Sequence, residues 1–183
     1  REIIKILTNI SNELRPRIPE MLVSYDFLGQ IDFLRAKALF AIDTDCTLPK
    51  ITNDTIIDWS WAKHPILFLN HRANGKEVVP LDISLDKSRR ILVISGPNAG
   101  GKSVCLKTVG LLQYMLQCGM LVPLHPSSQM GIFENIFLDI GDEQSIENDL
   151  STYSSHLTNM KQFAKNCNEK SLLLVDEFGS GTE

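Results

Sequence analysis

The spacing of apolar positions divides the chain into two textures. Ile3, Ile6, Leu7, Ile10 and Leu14 recur at intervals of three and four, the single apolar stripe of an amphipathic helix. Pro16 and Pro19 interrupt it, because proline lacks the amide hydrogen and disfavours helix in the residue before it. A second helix is predicted from Pro19 or Glu20 to about Ile42, with Leu28, Ile31, Leu34, Ala38 and Ile42 turned inward. At about 1.5 Å per residue that is a rod of roughly 33 Å. Two packed helices of a compact bundle and a long arm joining two domains both fit this pattern.

From about Thr47 the pattern shortens. Apolar and β-branched runs at Thr55 to Trp61, Ile66 to Leu69 and Val78 to Leu85 read as strands, broken by turns at Asn53-Asp54 and Asn74-Gly75. Ile91-Leu92-Val93-Ile94-Ser95 is unbroken, as expected of a strand covered on both faces. A helix from Lys102 to about Gln117 follows, ended by Gly119. Another spans roughly Ser154 to Cys167, and Ser171 to Val175 is a further buried strand. Strand, helix and strand in alternation predict an α/β domain over residues 47–183, behind a helical segment at 1–46.

Composition narrows the class. Of 183 residues, 43% are apolar and 22% charged, which excludes disorder and collagen-like chains and fits a globular protein. No apolar run approaches the roughly 18–20 residues of a membrane span, and Arg1 to Lys5 lack the core of a signal peptide, so no membrane partner and a cytoplasmic location are expected. Cys46, Cys105, Cys118 and Cys167 show no metal-binding spacing and are expected as reduced, mostly buried thiols. The net charge is −4, and no Lys or Arg occurs between Lys107 and Lys161. Nucleic-acid binding needs clustered cations, and the one cluster is Lys87-Ser88-Arg89-Arg90. Any grip on DNA is therefore expected mainly from regions outside this chain.

The chemistry is concentrated in two places. Gly96-Pro97-Asn98-Ala99-Gly100-Gly101-Lys102-Ser103 matches the phosphate-binding pattern G-x-x-x-x-G-K-[ST], between a predicted strand and a predicted helix. The glycines let successive amides face one anion, and the helix N-terminus adds positive charge. Lys102 is expected to reach the β- and γ-phosphates of ATP, and Ser103 to ligate Mg²⁺. Leu172 to Val175 then deliver Asp176 and Glu177 at a strand end, where ligands sit in open α/β sheets. Asp176 is expected in the Mg²⁺ shell, and Glu177 as the group that orients or deprotonates water. A solvated pair of acids is the bland alternative. His64, His71 and His125 are expected to be structural.

These elements, with Asp139-Ile140-Gly141-Asp142-Glu143-Gln144, Ser151-Thr152-Tyr153, Gly179-Ser180-Gly181-Thr182 and His64-Pro65, resemble the ABC-type ATPase domain of the DNA mismatch repair MutS family over about residues 50–183. Ala99 and Leu150 stand where mismatch readers usually carry Met and Arg, and the Asp139 to Glu147 run is typical of the anti-recombination paralogue branch. The resemblance implies a P-loop NTPase of ABC-ATPase type that forms a homodimer. It also implies action on branched or recombination-intermediate DNA, and a possible ribosome-linked role. Ser151 and Thr152 would reach the γ-phosphate held by the partner subunit, or serve only as a helix cap ahead of Ser154. Gln144 would lie in a nucleotide-sensing loop, or in a plain solvated one. Val79, with Val78, aligns near the adenine but lacks the aromatic ring often found there. The sequence stops seven residues after Asp176, so a C-terminally truncated ATPase domain is expected. A mismatch-recognition ATPase and a nucleotide-binding interaction module without turnover are the alternatives.

Overall fold

A computed structural model describes residues 1–97, 100–140 and 149–176, with the backbone alone over 149–155. Its contacts separate two units, Arg1–Phe40 and Ala41–Glu183. The first holds helix α1 (Glu2–Leu14), a 3-10 turn (Arg15–Arg17) and most of helix α2 (Ile18–Asp43). Pro16 occupies the opening of the 3-10 turn, where its missing amide hydrogen costs little. No residue from Arg1 to Phe40 is buried. The inward face predicted for α2 is corrected accordingly: Leu28, Ile31, Leu34, Ala38 and Ile42 are all exposed. An apolar stripe marks the face that can be covered, not a cover at hand.

The second unit is mixed α/β. Its elements are β1 (Lys50–Thr52), β2 (Ile57–Ala62), α3 (Pro65–Ala73), β3 (Leu81–Leu85), α4 (Lys102–Gln117), β4 (Gln129–Gly131), β5 (Asn135–Asp139), α5 (Asp149–Asn166) and β6 (Ser171–Val175). One sheet has the order β1-β4-β2-β3, with β4 parallel to β1 and antiparallel to β2. The other pairs β5 and β6 in parallel, Asp139 opposite Val175. Ile57, Trp59 and Ala62 point into the core from β2 while Asp58 points out. The alternation is interrupted by a bulge at which Trp61 takes φ +59° and donates its amide to Asp82 Oδ1 at 2.7 Å.

Helix α4 is the spine of the unit. Val109, Leu112, Met115 and Leu116 are buried along it. A Cβ at Gly110 would lie 3.0 Å from Leu174 Cδ1 and 3.2 Å from Leu138 Cδ2, so the bare glycine lets α4 seat closely on β5 and β6. Fully buried Gln113 donates from Nε2 to Gly131 O and to Gln117 Oε1, each at 2.8 Å. Gln117 in turn donates to Phe133 O at 3.0 Å and accepts from Phe133 N at 3.1 Å. Two amide side chains thus cap the backbone that joins β4 to β5.

Four further expectations are corrected. Ile66 to Leu69 lie in helix α3, whose Pro65 occupies the first turn and whose cap Asn74 precedes a left-handed Gly75; a four-residue apolar run cannot by itself tell strand from helix. Of Val78 to Leu85 only Leu81–Leu85 pair, after Pro80, which has no amide to give a ladder. Ile91 to Ser95 form no strand, because a strand needs a neighbour and these residues have no ladder partner among the described residues. Ile91 and Val93 are more than 80% exposed, and Ile91, Leu92 and Ile94 line, together with Leu172 to Leu174, a cavity of about 600 Å³. Finally, no cysteine is buried: Cys46 and Cys105 are half-buried, Cys118 and Cys167 exposed, and no two of the four are joined in a disulfide.

Candidate functional site

The glycine-rich loop turns as its residue types require. Gly100 donates its amide to Pro97 O at 2.9 Å, and Gly101, the N-cap of α4, takes φ +83°, ψ +16°, a left-handed conformation open to glycine at little cost. Helix α4 starts at Lys102 with no side-chain cap and no acid in its first turn, so no carboxylate from that turn offsets its amide charge. Lys102 reaches back across the loop, its Nζ donating to Gly96 O at 2.7 Å. Lys102 and Ser103 are half-buried. Asn98 and Ala99 lie outside the described residues.

Asp176 follows the last residue of β6, half-buried, and its amide donates to Asp139 O at 2.8 Å. The carboxylate-bearing ends of the two parallel strands are therefore flush. Glu177 and Gln144 lie outside the described residues. Ser151 and Thr152 fall within α5, which begins at Asp149; they belong to its first turns and do not precede it as a cap. Val79 stands outside any strand and is 91% exposed.

The histidines differ. His71 Nδ1 lies 3.1 Å from Glu77 O, and His125 Nδ1 lies 2.7 Å from Ser127 Oγ, both local turn contacts. His64 caps α3; burial first, and the Lys107 charge second, lower its pKa. His156 is the one engaged beside the strand ends. Its Nδ1 meets Asp139 Oδ2 at 2.7 Å, while Asn159 Nδ2 donates to Asp139 Oδ1 at 2.9 Å. Asp139 is only 5% exposed. No role was predicted for this cluster from the sequence. Its signal was present as an acid directly after Ile136-Phe137-Leu138, with His156, Asn159 and Phe163 at helical spacing.

Among the described residues no group of three or more His, Cys, Asp or Glu side chains could hold a metal ion, and no helix is long and apolar enough to cross a membrane. A family model described as MutS domain V matches residues 92–183. The whole chain is 42% identical to endonuclease MutS2 of Carboxydothermus hydrogenoformans, over 23% of that protein. It is 45% identical to endonuclease MutS2 of Finegoldia magna and 43% identical to that of Clostridium kluyveri, over 22% of each. The chain spans less than a quarter of the length of these curated relatives.

Proposed function

Because this chain belongs to the MutS family, on its MutS2 branch, we propose that residues 47–183 are an ATP-binding and hydrolysing domain of a larger DNA-processing protein. Residues 1–46 would be the helical arm through which its nucleotide state reaches the DNA-gripping parts. In this reading Gly96, Pro97, Asn98, Ala99, Gly100 and Gly101 wrap the phosphates, and Lys102 stands against the β- and γ-phosphates. Ser103 and Asp176 offer hydroxyl and carboxylate oxygens, the hard donors that Mg²⁺ prefers, so the donor set fits that ion. Bound Mg²⁺ would supply neutralisation of phosphate charge. Glu177 orients or deprotonates water, Val79 lies by the adenine, and Gln144 senses the nucleotide. Ser151 and Thr152 complete the site of a second copy in a homodimer. The substrate of the whole protein would be branched or recombination-intermediate DNA.

One observation carries this reading: an uncapped helix starts behind a left-handed glycine, with a lysine ammonium folded back across the loop. Titration with a fluorescent ATP analogue tests it. Lys102→Ala removes the ammonium and should weaken binding by about tenfold or more, the scale of a lost charge-assisted hydrogen bond. Equal affinity in the two proteins refutes the assignment. In the full-length protein, Glu177→Gln should keep binding and slow turnover by about 10²–10⁴. Turnover within about threefold of the parent would show that Glu177 is not the base.

A further inference from the structure

Asp139 is attached to two elements at once. Through its carbonyl it holds the amide of Asp176, and through its carboxylate it holds His156 and Asn159 of α5. Both carboxylate oxygens are engaged, and the side chain is 6% exposed. A carboxylate accepts and cannot donate, so His156 Nδ1 carries the proton it shares with Asp139. Packing alone does not require such a cluster. The ring of Phe163, two turns further along α5, already sits 5.0 Å from that of Phe137 on β5. An apolar contact of that kind tolerates sliding and rotation, whereas two directional groups, one on each oxygen of a buried carboxylate, admit one helix register.

We propose that Asp139, through His156 and Asn159, is a positioning residue that locks α5 against the strand end carrying Asp176, and so sets turnover at the ATP site. This rests on the nucleotide reading above. The turn bearing Ser151 and Thr152 lies one turn, about 6 Å, before His156. A helix free to shift by a fraction of a turn would carry that turn out of place, and small misplacements cost rate far more than binding. The Asp139 cluster therefore acts on kcat, while the loop from Gly96 to Ser103 acts on nucleotide affinity.

The test is a rescue experiment in the full-length protein, read as nucleotide affinity, kcat, KM and melting temperature. Asp139→Asn sets an amide against a donor and should lower kcat by about tenfold or more with nucleotide affinity within about threefold. Adding Asn159→Asp moves the carboxylate to the helix. The amide now on the strand then donates to that carboxylate and accepts from His156, and kcat should return to within about threefold of the parent. If Asp139→Asn does not fold, His156→Gln, which keeps a donor of different reach, is measured by the same split. A kcat within about twofold of the parent overturns the proposal. So does a parallel loss of melting temperature, affinity and kcat that the double variant does not restore. Lys102→Ala runs alongside: undiminished binding there refutes the nucleotide reading itself, whereas weakened binding with a parent-like Asp139→Asn refutes only the positioning role.

Discussion

Replacing Gln113 tests how α4 is held. Its Nε2 gives two hydrogen bonds of 2.8 Å, to Gly131 O and Gln117 Oε1, while its own Oε1 is buried with no partner among the described residues. Gln113→Leu keeps most of the volume and removes the polar atoms. It forfeits two bonds of net about 1 kcal/mol each but relieves the unpaired oxygen, for an expected loss of about 1–2 kcal/mol. Gln113→Ala forfeits the same bonds and leaves a void beside the buried Leu112 and Leu116, for an expected loss of about 3–4 kcal/mol. The gap of about 2 kcal/mol between the variants measures the lost side-chain burial together with the void. Urea unfolding followed by circular dichroism at fixed pH gives both values, and about 1 kcal/mol should move the melting temperature by about 3 °C in a unit of this size. Equal losses for Leu and Ala would refute the packing argument. A Leu variant matching the parent would show that the bonds to Gly131 and Gln117 contribute nothing.

Two further outcomes are expected. Trp61 holds φ +59° while 61% exposed, so Trp61→Gly should raise the unfolding free energy measured in urea, by up to about 1 kcal/mol, and Trp61→Val should lower it; the reverse order would exclude backbone strain at the bulge. Asp86 accepts from the Ser88 hydroxyl and from the amides of Ser88 and Arg89, which hold its pKa well below the ordinary 3.8. The unfolded chain binds this proton more readily, so the contribution is present above pH 3.8 and lost as pH falls below it. Asp86→Asn should therefore flatten the acid limb of a stability–pH profile, and an unchanged limb would remove the turn from the account.

Local chemistry was legible in the sequence, and long-range pairing was not. Lys102–Gln117 and Ser171–Val175 occupy the predicted positions because a glycine-rich turn, an unbroken helical pattern and an apolar run ending in acids each act within a few residues. Strands β1 and β4 leave no mark in the sequence because three residues carry no period. Ile91 to Ser95 show the opposite failure: their composition suits a buried strand, but composition does not supply the neighbouring backbone a ladder requires. At the site, Lys102 and Asp176 could be named from their motifs. Asn159 shows in the sequence only its helical spacing with His156 and Phe163; its partner is a carboxylate twenty residues earlier, which only the fold brings to it.

The sheet order β1-β4-β2-β3 imposes a schedule on synthesis. Among the described residues strand β1 pairs only with β4, and β4 lies between β1 and β2, two strands made well before it. At about 5–20 residues per second, a ribosome takes about 4–15 s to travel from Thr52 to Gln129. Over that interval β2 can pair with β3, yet Ile57 and Asp58 keep open the edge that Met130 and Gln129 will fill. The whole of α4 is translated during this wait, so slow codons between Lys102 and Gln117 would prolong the exposure of a strand edge open to pairing with another chain. The time for which that edge stays open during synthesis is thus set in part by elongation over a helix that is not itself part of the sheet.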